Sequence, residues 1–254
     1  MSSVPARIVE FETIDSTNTE AHRRAVAGER GPLWIRSDRQ EQGRGRSGRA
    51  WSSPPGNLSA THLFTPTCER TVLHQLSFVA GLAAYDAIAP HLGSGAPLQL
   101  KWPNDVLIGP AKVGGILVES ANYDGAIVVI IGMGINIAVT PDIEGRAVTQ
   151  IDLYGAAPTP NELIQVLARN MRSWLEIWND GHGFAAIRTA WLERAHAPGQ
   201  RLTVNTNQRH LEGTFAGLAE NGALLLATGE KAPIKIEHGD VSLASTLPLS
   251  EKRA

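Results

Sequence analysis

Apolar positions recur along this chain in two rhythms, and the rhythm changes at Pro198-Gly199. Before that point, segments of period two and of period near 3.6 are interspersed, the pattern of strands mixed with helices. Arg7 to Ile14 reads as a short strand. Thr17-Asn18-Thr19-Glu20 has the spacing of a capping box, which predicts a helix to Ala27 with Gly28 as its stop. Leu33 to Ser37 and Leu58 to Phe64 read as strands, and Gln42 to Arg49 between them has no apolar period and reads as a loop. Leu73, Leu76, Ala80, Ala83 and Ala87 predict an amphipathic helix over Thr71 to Leu92. Leu98 to Trp102 reads as a strand ending at Pro103. Val106 to Ile108 and Gly115 to Ser120 read as two strands joined by a loop, Gly109 to Lys112. Ala126 to Ile131 is wholly apolar and β-branched, which predicts a strand buried on both faces. Thr159-Pro160-Asn161-Glu162 combines a capping box with proline at the first helical position and opens a helix to about Trp178; Phe184 to Ala195 continues in helical rhythm.

Beyond Pro198-Gly199 the segments shorten. Arg201 to Val204, Leu211 to Leu218, Ala223 to Ala227, Ile234 to Ile236 and Val241 to Leu243 read as strands separated by Asn-Gly, Thr-Gly and His-Gly turns. This places a boundary at 197/198: a larger mixed domain over 1–197 and a small all-β module over 198–254. The module is too small for a large core of its own.

Composition narrows the classes. With 254 residues and 43% hydrophobic side chains the chain can bury a core, which excludes disorder as its main state. A formal net charge of -2 gives no general attraction to nucleic acid or anionic membrane. The single cysteine, Cys68, excludes an internal disulfide and fits a reducing compartment. Met1 to Glu12 lacks the apolar stretch of a signal peptide, and no uncharged apolar run reaches membrane-spanning length, so the expected location is cytoplasmic.

Four constellations carry candidate chemistry. Gly43-Arg44-Gly45-Arg46-Ser47-Gly48-Arg49, followed by Trp51, combines backbone that can approach a ligand with guanidinium forks for phosphate or carboxylate. It reads as a loop over a phosphate-bearing ligand, or equally as a solvated basic loop. Lys101-Trp102-Pro103-Asn104-Asp105 presents Asn104 and Asp105 at a turn; the same residues are ordinary turn chemistry, with Lys101 a surface charge. Lys112 precedes Gly114-Gly115 at the head of an apolar strand, where it can neutralise developing negative charge or stand exposed on a hairpin. Gly132-Met133-Gly134-Ile135-Asn136 is not the dinucleotide fingerprint, and no Walker loop occurs, so an ATP site would be of another type. Ser16, Thr17, Asn18 and Gln40 suit a neutral hydrogen-bonding ligand, although the first three also suit a helix cap. Eight histidines are scattered without metal-ligand spacing, and metal-ligating residues stay unknown.

In combination these segments are specific. Asp15 to Asn18, the Gly-Arg loop with Trp51, Pro55-Gly56-Asn57-Leu58, Lys101 to Asp105, Lys112 to Glu119, Gly132 to Asn136 and Gly239 to Leu243 together resemble the biotin protein ligases over nearly the whole chain. The resemblance implies an α+β fold with a mixed central sheet flanked by helices, like the catalytic domain of class II aminoacyl-tRNA synthetases, and a small C-terminal β-barrel. It implies biotin, ATP and Mg2+ as ligands and a biotin carboxyl carrier domain as partner. The expected reaction forms biotinyl-5'-AMP from biotin and ATP, then moves biotin to a carrier lysine. The resemblance assigns Lys112, Arg44, Arg46 and Asp105 to catalysis. It assigns biotin contact to Ser16, Thr17, Asn18, Gln40, Gly43, Arg44, Arg46, Lys112, Gly115 and Gly134. It places Arg46, Trp51, Asn104, Lys112 and Asn136 around ATP, and it gives Asp105 the task of orienting the carrier amine or taking its proton.

Two departures stand out. Ser16 begins the motifs too early for the N-terminal DNA-binding segment of some relatives, so DNA is not an expected partner. The last motif ends Asp-Val-Ser-Leu-Ala, where the family often has Glu-Val-Ser-Leu-Arg. A strand-edge homodimer is compatible with the pattern. The nearest rival is a lipoate or octanoate ligase or transferase of the same superfamily; a rival of another class is a non-enzymatic nucleic-acid-binding module using the Arg-rich loop.

Overall fold

The structure, a computed structural model, describes residues 7–143, 145–206 and 209–243. Met1 to Ala6 of the N-terminal segment and Ala244, which ends the departing last motif, lie outside the described residues. The chain divides into two compact units, Met1–Ala195 and His196–Ala254.

The first unit is built on seven strands: β1 Ile8–Ile14, β2 Leu33–Gln40, β3 Leu58–Phe64, β4 Leu98–Lys101, β5 Asp105–Ile108, β6 Ala111–Tyr123 and β7 Ala126–Ile135. Their order is β1-β2-β3-β7-β6-β5-β4. β1 and β2 pair in parallel across helix α1 (Thr17–Val26), and the other neighbours are antiparallel, so the sheet is mixed.

Strand alternation assigns the faces. Leu33, Ile35, Leu63, Val128 and Ile130 are fully buried beneath Ala21 and Ala25 of α1. On the opposite face lie α2 (Leu76–Ile88) and α3 (Pro160–Trp178), with α4 (Phe184–Glu193) packed against both. Gly81 of α2 lets Leu100, Ile116 and Trp191 approach to contact distance of where a Cβ would stand.

Three local expectations need correction. The helix expected over Thr71 to Leu92 is a 3-10 turn over Arg70–Gln75, then α2, then another 3-10 turn over Ala89–His91. It is not amphipathic, because the sheet, α3 and α4 enclose it and ten of its residues are buried. By length and composition Arg70–His91 could cross a membrane, yet it is mostly buried inside this fold. The Thr17–Glu20 capping box does not form: Ser16 is the N-cap and makes no side-chain cap bond, while Glu20 pairs with Arg23 and Arg24. At Thr159 and Glu162 the box is present in full. Finally, β6 and β7 extend through the glycine pairs, so Lys112 lies inside a strand, not in a loop.

The second unit is a five-stranded antiparallel sheet of β8 (Arg201–Asn205), β9 (His210–Leu218), β10 (Leu224–Ala227), β11 (Ile234–Ile236) and β12 (Asp240–Leu243). Its order is β11-β10-β9-β8-β12, and among the described residues β11 and β12 do not pair with each other.

Candidate active site

α1 packs over β2, β3 and β7, and its Asn18 reaches Glu119 of β6 on the same face of the sheet. The candidate residues gather there, because register and alternation bring them to that face. Lys101 pairs with Asp105, Asp105 with Gly115, Gly115 with Gly134, and Gly134 with Ser59; Thr61 pairs with Gly132 one step along. Glycines at 115 and 134 make a low floor across two adjacent strands.

Simple alternation would send Lys112, three residues from Gly115, to the opposite face. A β-bulge prevents this. Gly114 pairs with Val106 but Lys112 pairs with Leu107, so β6 carries one extra residue there. The bulge re-aims Lys112 so that its Nζ lies 2.8 Å from where a Cβ on Gly115 would stand. Lys112 and Lys101 both bond Asp105: Lys112 Nζ to Oδ1, and Lys101 Nζ to Oδ2 at 2.8 Å.

Burial and charge act in opposite directions on these groups. Burial favours the protonated acid form of Asp105, but the ammonium groups of Lys112 and Lys101 outweigh it and hold the carboxyl below its ordinary range. For Lys112, burial and the nearby charges of Lys101 and Arg146 lower the affinity for a proton more than Asp105 restores it.

The Gly-Arg loop folds into a closed turn beside this floor. Gly45 N donates to Arg49 O at 2.7 Å, and Trp51 N donates to Gly43 O at 2.8 Å. Gly43 has to be glycine, since a Cβ would lie 2.4 Å from Trp51 O. The indole of Trp51 then rests on the glycine floor: its Cε2 is 2.2 Å from the Cβ position of Gly134 and its Cζ3 is 3.0 Å from that of Gly115. Lys112 Nζ sits 5.3 Å from the centre of the same ring. Arg46 Nη1 donates to Asn104 Oδ1 at 3.2 Å, and Asn104 Nδ2 donates to Ile116 O at 2.6 Å. Arg44 is exposed, 3.5 Å from Thr19 Oγ1 and 3.8 Å from Glu119 Oε1.

A second cluster lies at the start of α1. Gln40 Oε1 accepts from Thr17 N at 2.9 Å and from the Thr17 hydroxyl at 3.1 Å, and Gln40 Nε2 donates to Ser53 at 2.8 Å. The Thr61 hydroxyl donates to Asn18 Oδ1 at 2.7 Å and lies 2.8 Å from the Thr17 oxygen. Asn18 Nδ2 donates to Glu119 at 2.7 Å, and Asn18 Oδ1 lies 2.3 Å from where a Cβ on Gly132 would stand. Ser16, Thr17 and Asn18 are all buried. The cluster offers donors and acceptors without a net charge of its own beyond Glu119, which suits a neutral ligand.

Asn136 is placed differently. It is buried, its Nδ2 donates to Thr149 O at 3.0 Å, and its Oδ1 faces Asn57 Nδ2 at 3.4 Å. Asn57 in turn accepts from the backbone N–H groups of Ile137, Ala138 and Val139. The two asparagines tie down the chain where it leaves β7. The sequence pattern gave no role to Ser53, Asn57, Thr61 or Glu119 and left Lys101 as a surface charge at the end of a strand. Glu119 and Asn57 lie inside the motifs; Ser53 and Thr61 carry no signal, because Thr61 is brought to the cluster by pairing across strands and Ser53 by the loop after Trp51. Among the described residues no group of three or more His, Cys, Asp and Glu side chains could hold a metal ion.

Known proteins resemble this chain in sequence and fold. The model of the biotin/lipoate A/B protein ligase family matches residues 10–136, and that of the biotin protein ligase C-terminal domain matches residues 199–244. A biotin–[acetyl-CoA-carboxylase] ligase of Paracoccus denitrificans is 40% identical over 219 residues, 84% of this chain and 90% of its own length. A bifunctional ligase/repressor of Bacillus subtilis (strain 168) is 31% identical over 242 residues, 93% of this chain and 74% of its own. A biotin protein ligase from Aquifex aeolicus, solved in complex with biotin and ATP, matches with a TM-score of 0.78 at 26% identity, covering 94% of this chain and 98% of that one. The chain therefore belongs to the biotin/lipoate A/B protein ligase family, and within it to the biotin protein ligases.

Proposed function

We propose a residue-level account of biotin ligation by this chain. The protein activates biotin with ATP and transfers it to a lysine of a biotin carboxyl carrier protein. In the first step a biotin carboxylate oxygen bonds to the α-phosphorus of ATP, the bond to the β-phosphate breaks, and pyrophosphate leaves. In the second the carrier amine bonds to the acyl carbon, AMP leaves, and the amine proton passes to solvent. Magnesium enters with ATP as part of that substrate.

The observation that carries the site assignment is the bulge that turns Lys112 onto the Gly115/Gly134 floor. Two anions must meet in the first step, and a cation fixed between them stabilises the charge that develops. Lys112 takes that position, and Arg44 and Arg46 bind phosphate and carboxylate oxygens from the loop. Ser16, Thr17, Asn18 and Gln40 read the ureido ring, with Gly43, Gly115 and Gly134 as the close wall. Trp51 and Asn104 border the nucleotide, and Asn136 positions the strand end beside it, since its amide is engaged inside the protein. We assign residues 1–197 to this catalytic domain and 198–254 to the small β domain. The acceptor is a biotin carboxyl carrier domain, in the cytoplasm, with neither DNA nor membrane as a partner.

The test is ATP–pyrophosphate exchange by the purified protein with magnesium and either biotin or lipoate, without carrier. Exchange with biotin alone is expected. Exchange with lipoate alone moves the chain to the sister activity, and none with either ligand refutes the adenylation reading.

A further inference from the structure

We propose that Lys101 is a positioning residue for biotin activation, acting on Lys112 through the carboxylate they share. The inference rests on the adenylation reading above. Its basis is the division of Asp105 between two lysines, one on each oxygen, across three adjacent strands. Lys101 is the last residue of β4 and Asp105 the first of β5, and the two are register partners, so the tight hairpin fixes their approach.

A buried ammonium paired with one carboxylate forms a neutral couple that has little field left for an arriving anion. Here the couple has a third member. That member is Lys101, so Lys112 does not have the carboxylate to itself, and its charge is offset less completely toward the two anions that must meet over the glycine floor. Lys101 also claims Oδ2, which leaves only Oδ1 to hold Lys112, and this fixes the direction in which the Lys112 ammonium points. Among the described residues, the groups facing Lys112 are Asp105 on β5, Lys101 on β4, Arg146 on the segment that pairs beside Lys112, and the Trp51 ring. The positive charge of Lys101 adds to the forces lowering the proton affinity of Lys112. Removing it must therefore move the titration of Lys112 toward higher pH.

The test compares wild type, Lys101→Met, Lys101→Gln and Lys101→Arg by biotin-dependent ATP–pyrophosphate exchange from near-neutral to alkaline pH. Lys101→Met is expected to lose on the order of ten- to a hundredfold in kcat, the scale for removing a partner that orients a reacting group. The KM for biotin should stay close to wild type, and the alkaline limb of the profile should move up. Lys101→Arg keeps the charge and should retain most of the activity and the wild-type limb. Lys101→Gln keeps a hydrogen bond to Asp105 without charge, and decides the matter if Lys101→Met does not fold. Wild-type kcat and an unmoved limb in Lys101→Gln would overturn the proposal, as would an arginine variant as impaired as the methionine one. Absence of exchange in the wild-type protein would instead refute the ligase reading itself.

Discussion

His62 gives the protein a pH-dependent stability whose size follows from its surroundings. It lies on β3 next to Thr61, facing away from the ligand side, stacked between Trp34 at 4.6 Å and Phe64 at 5.0 Å. Its Nδ1 is buried without a hydrogen-bond partner, and burial lowers its pKa from 6.5 to about 3. The unfolded chain protonates near 6.5 and the folded one only near 3, so between those values the unfolded state binds the extra proton. Stability from this site is complete above about pH 6.5 and falls as the pH drops. Integrating the linkage from about pH 7.5 to about pH 5 gives a loss of about 2 kcal/mol. The perturbation is His62→Phe, which keeps an aromatic ring in the stack and removes the titrating group. Unfolding free energies from denaturant titration at the two pH values would be compared for both proteins. Other titrating groups cancel in the difference between them, which should be about 2 kcal/mol, with the variant the less acid-sensitive. An equal loss in both would refute the claim that His62 is held neutral.

Two further outcomes follow from the site. Gly134→Ala puts a methyl group 2.2 Å from the Trp51 ring, so the indole must lift and the floor rises; biotin KM in the exchange assay should increase by about tenfold, or about 1.4 kcal/mol, and an unchanged KM would remove Gly134 from the ligand wall. Asp105→Asn leaves two neighbouring ammonium groups without their carboxylate and should lower the unfolding free energy by about 3 kcal/mol, a loss that chemical denaturation would show and that equal midpoints would deny.

Much of the architecture was legible in the periodicity because it is local. The strands of the small C-terminal unit stood out between their glycine turns, and the α3 cap at Thr159 and Glu162 formed as its spacing predicts. The same Thr-x-x-Glu spacing at Thr17 failed for a reason no local pattern contains. Gln40, on a different strand, takes both the backbone N–H and the hydroxyl of Thr17. Glycine misled in a related way. Gly132 and Gly134 look like the end of the strand over Ala126 to Ile131, yet both lie in a strand paired on both sides, where ladder bonds compensate for the missing side chains. α2 was read as amphipathic because alanine was counted as core on one face only; helices and sheet enclose its small residues on every side.

The motif residues of the site were found by resemblance, but their roles depend on register. Asp105 shows this most clearly. Its expected task was to orient the carrier amine or take its proton, and a carboxylate between two ammonium groups is a poor proton acceptor, which favours the orienting task. We propose a division of labour in which Lys101, Lys112, Arg44 and Arg46 make the surroundings of the floor positive, so that one field serves both half-reactions. In the first it offsets the repulsion between carboxylate and phosphate. In the second it disfavours the charged form of an incoming lysine. At a pKa near 10.4 only about four in ten thousand such amines are neutral at pH 7, and each unit of depression raises that fraction about tenfold. The cations that bring two anions together therefore also prepare the nucleophile that follows, and Asp105 contributes by holding two of those cations in place.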